Sequence, residues 1–149
     1  MNEQEALEWL AERMPVGDDC YVLDRVDEDL LLTTDMLHRS ADFPPGTTDF
    51  TIGWRSVAVS LSDLAGMGGV PLALLIAYGA PNFERESLEE FLDGADEVCS
   101  LAGGRIVGGD LDRHQELTVT TTGVGRAKSP VMRSGAEIGD LVVVTGDLG

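Results

Sequence analysis

The chain has 149 residues, 43% of them hydrophobic, enough for one domain with a sizeable core and too few for two ordinary ones. Its formal net charge of −17, from 27 acidic against 10 basic residues, argues against nucleic acid or an anionic membrane as a primary partner, because both would be repelled. Bare phosphate ligands meet the same repulsion, so a nucleotide would need divalent cations between its phosphates and the carboxylates.

In chain order, Ala6, Leu7, Trp9, Leu10 and Met14 give residues 3–13 a helical stripe, ended by Pro15 and Gly17. Glu3, Glu5, Glu8 and Glu12 are incompatible with a secretory or transit signal, and no apolar run is long enough to span a bilayer, so a cytoplasmic location is expected. Tyr21-Val22-Leu23 and Leu30 to Thr34 read as two strands joined by the charged turn 24–29, with Asp35 at the end of the second. Residues 36–50 contain Pro44-Pro45-Gly46 and few periodic apolar positions, which predicts a long loop. From Ile52 to Met67 the pattern is apolar nearly all round (Ile52, Trp54, Val57, Ala58, Val59, Leu61, Leu64, Ala65), predicting a helix buried on most sides and ended by Gly66, Gly68 and Gly69.

Pro71 to Tyr78 is a continuous apolar run of the kind a covered central strand shows. Ser87 and Glu90 form a capping box for a helix whose Leu88, Phe91, Leu92, Ala95, Val98, Cys99 and Ala102 recur at helical spacing. A short strand Arg105-Ile106-Val107 leads into Gly108-Gly109-Asp110, Leu117 to Val124 alternates as another strand, and Val142-Val143-Val144 closes the series. This order predicts an α+β fold with a layer of helices on a mixed sheet, in one domain spanning 1–149. Cys20 and Cys99 lack the paired spacing of a zinc or redox site, so reduced thiols are expected, Cys99 buried and structural. The nine arginines and the single Lys128 leave an acidic, solvated surface, suited to a cytosol rich in salt where screening relieves self-repulsion.

Four acidic elements share one placement: Asp18-Asp19 before the first strand, Thr33-Thr34-Asp35 ending the second, Ser62-Asp63 in the apolar helix, and Gly108-Gly109-Asp110 after a strand. Magnesium takes hard oxygen ligands, keeps several waters and is held by a few carboxylates together with substrate phosphates, which suits aspartates converging at strand ends. Glycines beside them would let a phosphate approach the backbone. An aspartate at a strand end or helix start also serves as a turn former or cap, and spacing alone leaves both roles open. Asp63 differs, because between Leu61 and Leu64 it would be costly to bury without a cation or a donor beside it. His38 and His114 stand apart without ligand spacing and read as loop residues. Ser56, Ser60 and Ser62 lack a nucleophile-elbow context, and Gly66-Met67-Gly68-Gly69 and Gly103-Gly104 match neither a Walker loop nor a dinucleotide fingerprint. No catalytic nucleophile is assigned.

Taken in order, Gly17-Asp18-Asp19, Thr33-Thr34-Asp35-Met36-Leu37, the run Gly53 to Ala65, Met67-Gly68, Gly108-Gly109-Asp110, Arg133-Ser134-Gly135-Ala136, Gly139-Asp140 and Val144-Thr145-Gly146 resemble the thiamine-monophosphate kinase family. That family sits in a superfamily with aminoimidazole ribonucleotide synthetase, selenophosphate synthetase and a hydrogenase maturation factor. The resemblance implies ATP-dependent phosphorylation of thiamine monophosphate to thiamine diphosphate by direct, in-line transfer with several magnesium ions. It implies Asp19, Thr33, Thr34, Asp35, Asp63 and Asp110 as magnesium ligands, and Gly109, Asp110 and Arg133 as ATP contacts. It also implies a ferredoxin-like sandwich that pairs through its sheet into a homodimer.

Three departures accompany it. Asp42 precedes Phe43 where many members have a substrate-binding histidine, so Asp42 is the candidate substrate contact; Ser60 stands where asparagine is common, and Leu111 where threonine is frequent. The family continues into a second domain, so residues from about 135 are expected to lead into it and this chain to be an incomplete, inactive part of the enzyme. The alternatives are a superfamily enzyme with another acceptor and a non-catalytic dimeric Mg-nucleotide binding module. Selenophosphate synthetase is disfavoured, since residues 1–17 hold no cysteine or lysine and Cys20 comes too late.

Overall fold

The computed structural model describes residues 18–23, 27–144 and 146, so the helix expected over 3–13 lies outside them, as do Gly17 and Thr145. Strands β1 (Tyr21–Leu23) and β2 (Asp29–His38) pair antiparallel, Tyr21 opposite Leu32. A single helical turn α1 (Arg39–Asp42) and helix α2 (Asp49–Gly66) lead into β3 (Val70–Ala80), followed by helix α3 (Arg85–Leu101), β4 (Ile106–Arg113), β5 (Thr118–Ala127) and a 3-10 turn at Arg133–Gly135. The five strands lie in the order β1-β2-β5-β3-β4, with β3 and β4 parallel and the other neighbours antiparallel. Parallel strands cannot be joined by a hairpin, and α3 supplies the crossover. The result is the α+β sandwich of helices on a mixed sheet that the element order predicts.

Both long helices cover the same face. Ile52, Val57 and Leu61 of α2 and Phe91, Ala95, Val98 and Cys99 of α3 pack on Leu74, Ile76, Tyr78 and Ala80 of β3 and Val119 of β5. Tyr78 and Phe91 meet edge to face at 5.0 Å between ring centroids. A second cluster, Cys20, Leu31, Leu64, Met67 and Ala127, fills the space under the C-terminal end of α2.

One-sided cover explains where the sequence pattern overstated burial. β3 alternates, with Leu74, Ile76, Tyr78 and Ala80 buried while Leu75 and Ala77 remain exposed, because no layer lies on the second face among the described residues. Helix α2 likewise buries one face (Ile52, Gly53, Ser56, Val57, Ser60, Leu61, Leu64) and leaves Trp54 exposed. The expected loop over 36–50 is shorter: β2 continues through His38 on cross-strand bonds to Thr118–Thr120, and α1 follows. Asp35 therefore sits inside β2 rather than at its end, and Gly108–Asp110 inside β4 rather than after a strand. The Ser87 capping box does not form, since α3 starts at Arg85 with Glu84 as an N-cap lacking a side-chain bond. Val142–Val144 form no strand and are exposed.

The two helices touch at the backbone. A Cβ added at Gly53 would lie 1.9 Å from the Phe91 carbonyl oxygen, and one at Gly94 would lie 2.0 Å from that of Phe50. This reciprocal contact has no side chain that could move aside, so any substituent pushes the helices apart. Gly53→Ala and Gly94→Ala should each lower unfolding free energy by about 3 kcal/mol or more in urea denaturation; a loss under about 0.5 kcal/mol would show that the helices separate freely.

Candidate metal and nucleotide site

Alternation along β2 turns Leu31, Thr33 and Asp35 toward the helices and Thr34 and Met36 toward the open face. Helix α2 crosses over β2 and β5, and its inward positions 56, 60, 63 and 64 descend on that row. Thr33 Oγ1 donates to Asp63 Oδ2 at 2.7 Å, and Ser60 Oγ donates to Asp35 Oδ2 at 2.8 Å. Asp19, just ahead of β1, reaches the C-terminal end of α2, where a Cβ at Gly66 would lie 3.2 Å from its Oδ2. The segment after β5 returns to the same place: Val131 N–H donates to Met67 O at 3.1 Å and Arg133 N–H to Asp18 Oδ1 at 2.8 Å. The Arg133 guanidinium pairs with Asp19.

The site is negatively crowded. Burial raises the Asp63 pKa above the ordinary aspartate value and the neighbouring charges of Asp35 and Asp19 add to it, while the Thr33 hydroxyl and Arg133 oppose the rise. Burial, followed by Asp63, Asp19 and Asp35, pushes the Cys20 thiol up to about 11, so this cysteine is a neutral core group and no nucleophile at neutral pH. Cys99 is buried and its thiol is also raised, first by burial and then by Asp96.

The structure divides the remaining predicted residues among other places. Thr34 faces the open side, donating to Thr121 O at 3.1 Å with Thr122 Oγ1 at 3.2 Å. Asp110 lies on that side too, in the cross-strand row Met36, Thr120, Ala77, Asp110. Three strand spacings separate it from β2, about 14 Å. It lines a hollow of about 160 Å³ with Ala77, Asp112, His114, Thr118 and Thr120. Gly109 pairs with Ile76, whose carbonyl oxygen would lie 1.8 Å from an added Cβ, so strand contact by itself demands glycine there. Asp42 turns its carboxylate onto its own chain, accepting from His38 N–H at 2.6 Å, while Arg55 donates to its carbonyl at 2.8 Å. His38 and His114 both reach Thr118 Oγ1, at 3.1 and 3.2 Å, tying the end of β2 to the β4–β5 connection.

Among the described residues, no three acidic, imidazole or thiol groups converge to hold an ion unaided. That donor set still fits magnesium, which keeps waters and completes its shell with substrate phosphates. The carboxylates of Asp19, Asp35 and Asp63 and the Thr33 hydroxyl are hard oxygen donors, and the crowding that raises Asp63 is what a divalent cation would relieve. Sequence reading named Ser60 only as a departure from the family pattern and as no nucleophile, and passed over Thr121; the available signal was the pair of hydroxyl residues Ser56 and Ser60 on the inward face of an apolar helix.

Residues 17–127 match the family described as AIR synthase related protein, N-terminal domain, and the chain belongs to that family. The chain is similar to thiamine-monophosphate kinases: that of Halobacterium salinarum is 50% identical over 150 residues, taking in 100% of this chain and 51% of the relative. That of Methanospirillum hungatei is 48% identical over 135 residues, 89% of this chain and 46% of the relative. The structure of AaThiL complexed with AMPPCP and TMP superposes with a TM-score of 0.84 at 28% identity, over 92% of this chain and 45% of that one. The chain thus spans about half the length of the curated relatives it matches. No described helix is long and apolar enough to cross a membrane.

The raised pKa of Asp63 has a consequence for stability. The folded state holds this proton more tightly than the unfolded state, so its ionisation costs stability as pH rises from the unfolded value of 3.8, with the full cost present at neutral pH. Asp63→Asn keeps an acceptor for Thr33 and removes the charge. In EDTA it should therefore melt above the parent at pH 7, the gap closing below pH 3.8, the ordinary aspartate value; an equal or lower melt at pH 7 would show that the carboxylate is not strained.

Proposed function

We propose that this chain is the N-terminal metal- and nucleotide-binding domain of a cytoplasmic thiamine-monophosphate kinase, which transfers the ATP γ-phosphoryl group in line to thiamine monophosphate. The observation that carries this is that Asp63, bonded to Thr33 near the end of α2, feels the charges of Asp35 and Asp19, with the Arg133 guanidinium paired to Asp19 beside them. Support comes from the likeness to named kinases and to a complex holding an ATP analogue and TMP. Phosphoryl transfer asks little covalent chemistry of the protein, so an aspartate-rich site without a nucleophile is what such a reaction needs.

Bound magnesium would neutralise the phosphate charge that a chain of net charge −17 otherwise repels. Asp19, Asp35, Asp63 and Thr33 would hold it. Arg133, paired with Asp19, presents a planar fork of donors that suits a phosphate oxygen. For Asp42 to contact substrate, its carboxylate would have to leave the His38 N–H.

Thr34 and Asp110 belong to the open face in this reading, and a twofold mate there would complete the set. That face exposes Tyr21, Leu23, Met36 and Leu75, apolar area of the kind an isologous sheet contact buries. Residues from about 135 lead into a second domain; the exposed Ile138, Leu141, Val142 and Val143 supply apolar surface for that contact.

A magnesium-dependent ATP assay on the intact protein, with products identified by mass, should yield thiamine diphosphate from thiamine monophosphate. Product only with an aminoimidazole-type or selenide acceptor would move the protein elsewhere in the superfamily, and tight Mg-ATP binding with no product would make it a binding module. In sedimentation the protein should run as a dimer, and Met36→Glu, which places a carboxylate on the open face, should shift it to monomer; an unshifted dimer would remove that face from the interface.

A further inference from the structure

The carboxylate of Asp35 does not stand alone. Ser60 Oγ donates to its Oδ2 at 2.8 Å, and Thr121, the residue directly across from Asp35 on β5, places its Oγ1 2.7 Å from Ser60 Oγ. Thr121 Oγ1 in turn donates to the Ser56 carbonyl at 2.9 Å. Both hydroxyl residues are at most 1% exposed. The network joins α2, β5 and β2, and every member of it except Asp35 faces packed protein.

Two buried hydroxyls in a core of aliphatic side chains are tolerated only when they are hydrogen-bonded, and here two hydroxyl protons serve three polar contacts. Ser60 presents its proton to one oxygen of Asp35, and Thr121, whose own single proton is within reach of both the Ser56 carbonyl and Ser60 Oγ, fixes where Ser60 sits. A carboxylate held by one oxygen loses its freedom to rotate and offers the other oxygen in a set direction. Groups of this kind, which orient a ligand without touching the ion, govern metal affinity strongly in other sites. Ser60 is wholly buried, and Gly123 lies on the strand beneath it.

We propose that Ser60 and Thr121 are positioning residues that aim the Asp35 carboxylate at a divalent cation, an inference that rests on the reading of Asp35 as an ion ligand. It commits the pair to ion affinity rather than to folding alone, and the two roles separate by experiment. Mn2+ binding to the intact protein is read by electron paramagnetic resonance, with thermal melts in EDTA to set the folded fraction. Thr121→Val removes the hydroxyl at constant shape, Thr121→Ser keeps it, Ser60→Ala removes the donor to Asp35, and Asp35→Asn removes the ligand charge.

Thr121→Val and Ser60→Ala should each weaken Mn2+ binding about tenfold, with Thr121→Ser close to the parent. If Ser60→Ala does not fold, the contrast between the two Thr121 variants carries the test. Parent-like Mn2+ affinity in Thr121→Val and Ser60→Ala, while Asp35→Asn loses it, overturns the positioning role and leaves Asp35 as a ligand. Parent-like affinity in Asp35→Asn overturns the ligand reading and this inference with it. Equal weakening in Thr121→Val and Thr121→Ser would show that keeping the hydroxyl does not keep affinity, trace the effect to repacking at position 121, and also overturn it.

Discussion

Asp63 is a carboxylate on the inward side of a helix between two leucines, and burial of that kind persists only with a donor or a cation in reach. Its donor is the Thr33 hydroxyl on β2, and meeting it obliges α2 to lie close on the sheet. The strands below are cut to allow this. A Cβ at Gly123 would lie 3.1 Å from Thr33 Cγ2, and one at Gly125 would lie 2.9 Å from Leu64 Cδ2, so β5 carries glycine where the helix descends. On its other side α2 meets α3 through Gly53 and Gly94. The same close seating that satisfies Asp63 brings Ser60 onto Asp35.

That geometry concentrates negative charge and supplies one arginine against it. Burial and the charges of Asp35 and Asp19 raise the cost of ionising Asp63, and Arg133, delivered by the segment after β5, counters it. A domain arranged in this way is less stable empty than it would be with a cation bound, because any ion that binds the folded form selectively shifts the folding equilibrium toward it. A cation bound at this cluster, as proposed, would couple stability to ligand binding.

The sheet separates two kinds of surface. Its covered face holds the core and the aspartate cluster; its open face holds Thr34, Asp110 and a shallow hollow lined by Asp112, His114 and Thr118. Residues that adjoin in the sequence, Thr33, Thr34 and Asp35, fall on opposite faces because a strand alternates its side chains. A ligand drawing on both sets needs something beyond one covered face of one chain.

Several features were legible in the sequence because they depend on short-range periodicity. The helix that became α3, the β1–β2 pair, the order of elements and the α+β class follow from apolar spacing and turn residues, and Asp63 could be singled out because its neighbours are apolar. Other features depended on what lies opposite. An apolar run cannot tell a strand covered on two faces from one covered on one, so β3 and α2 read as more buried than they are. Where β2 ends was decided by cross-strand bonds to β5, 80 residues on in the case of His38 opposite Thr118. The distances that join Ser60 to Thr121, and that keep Asp110 away from Asp35, are set by strand order and helix crossing. The sequence by itself determined which residues carry charge and where elements begin to repeat; only the tertiary structure decided which carboxylates meet, because their proximity arises from packing between segments distant in the chain.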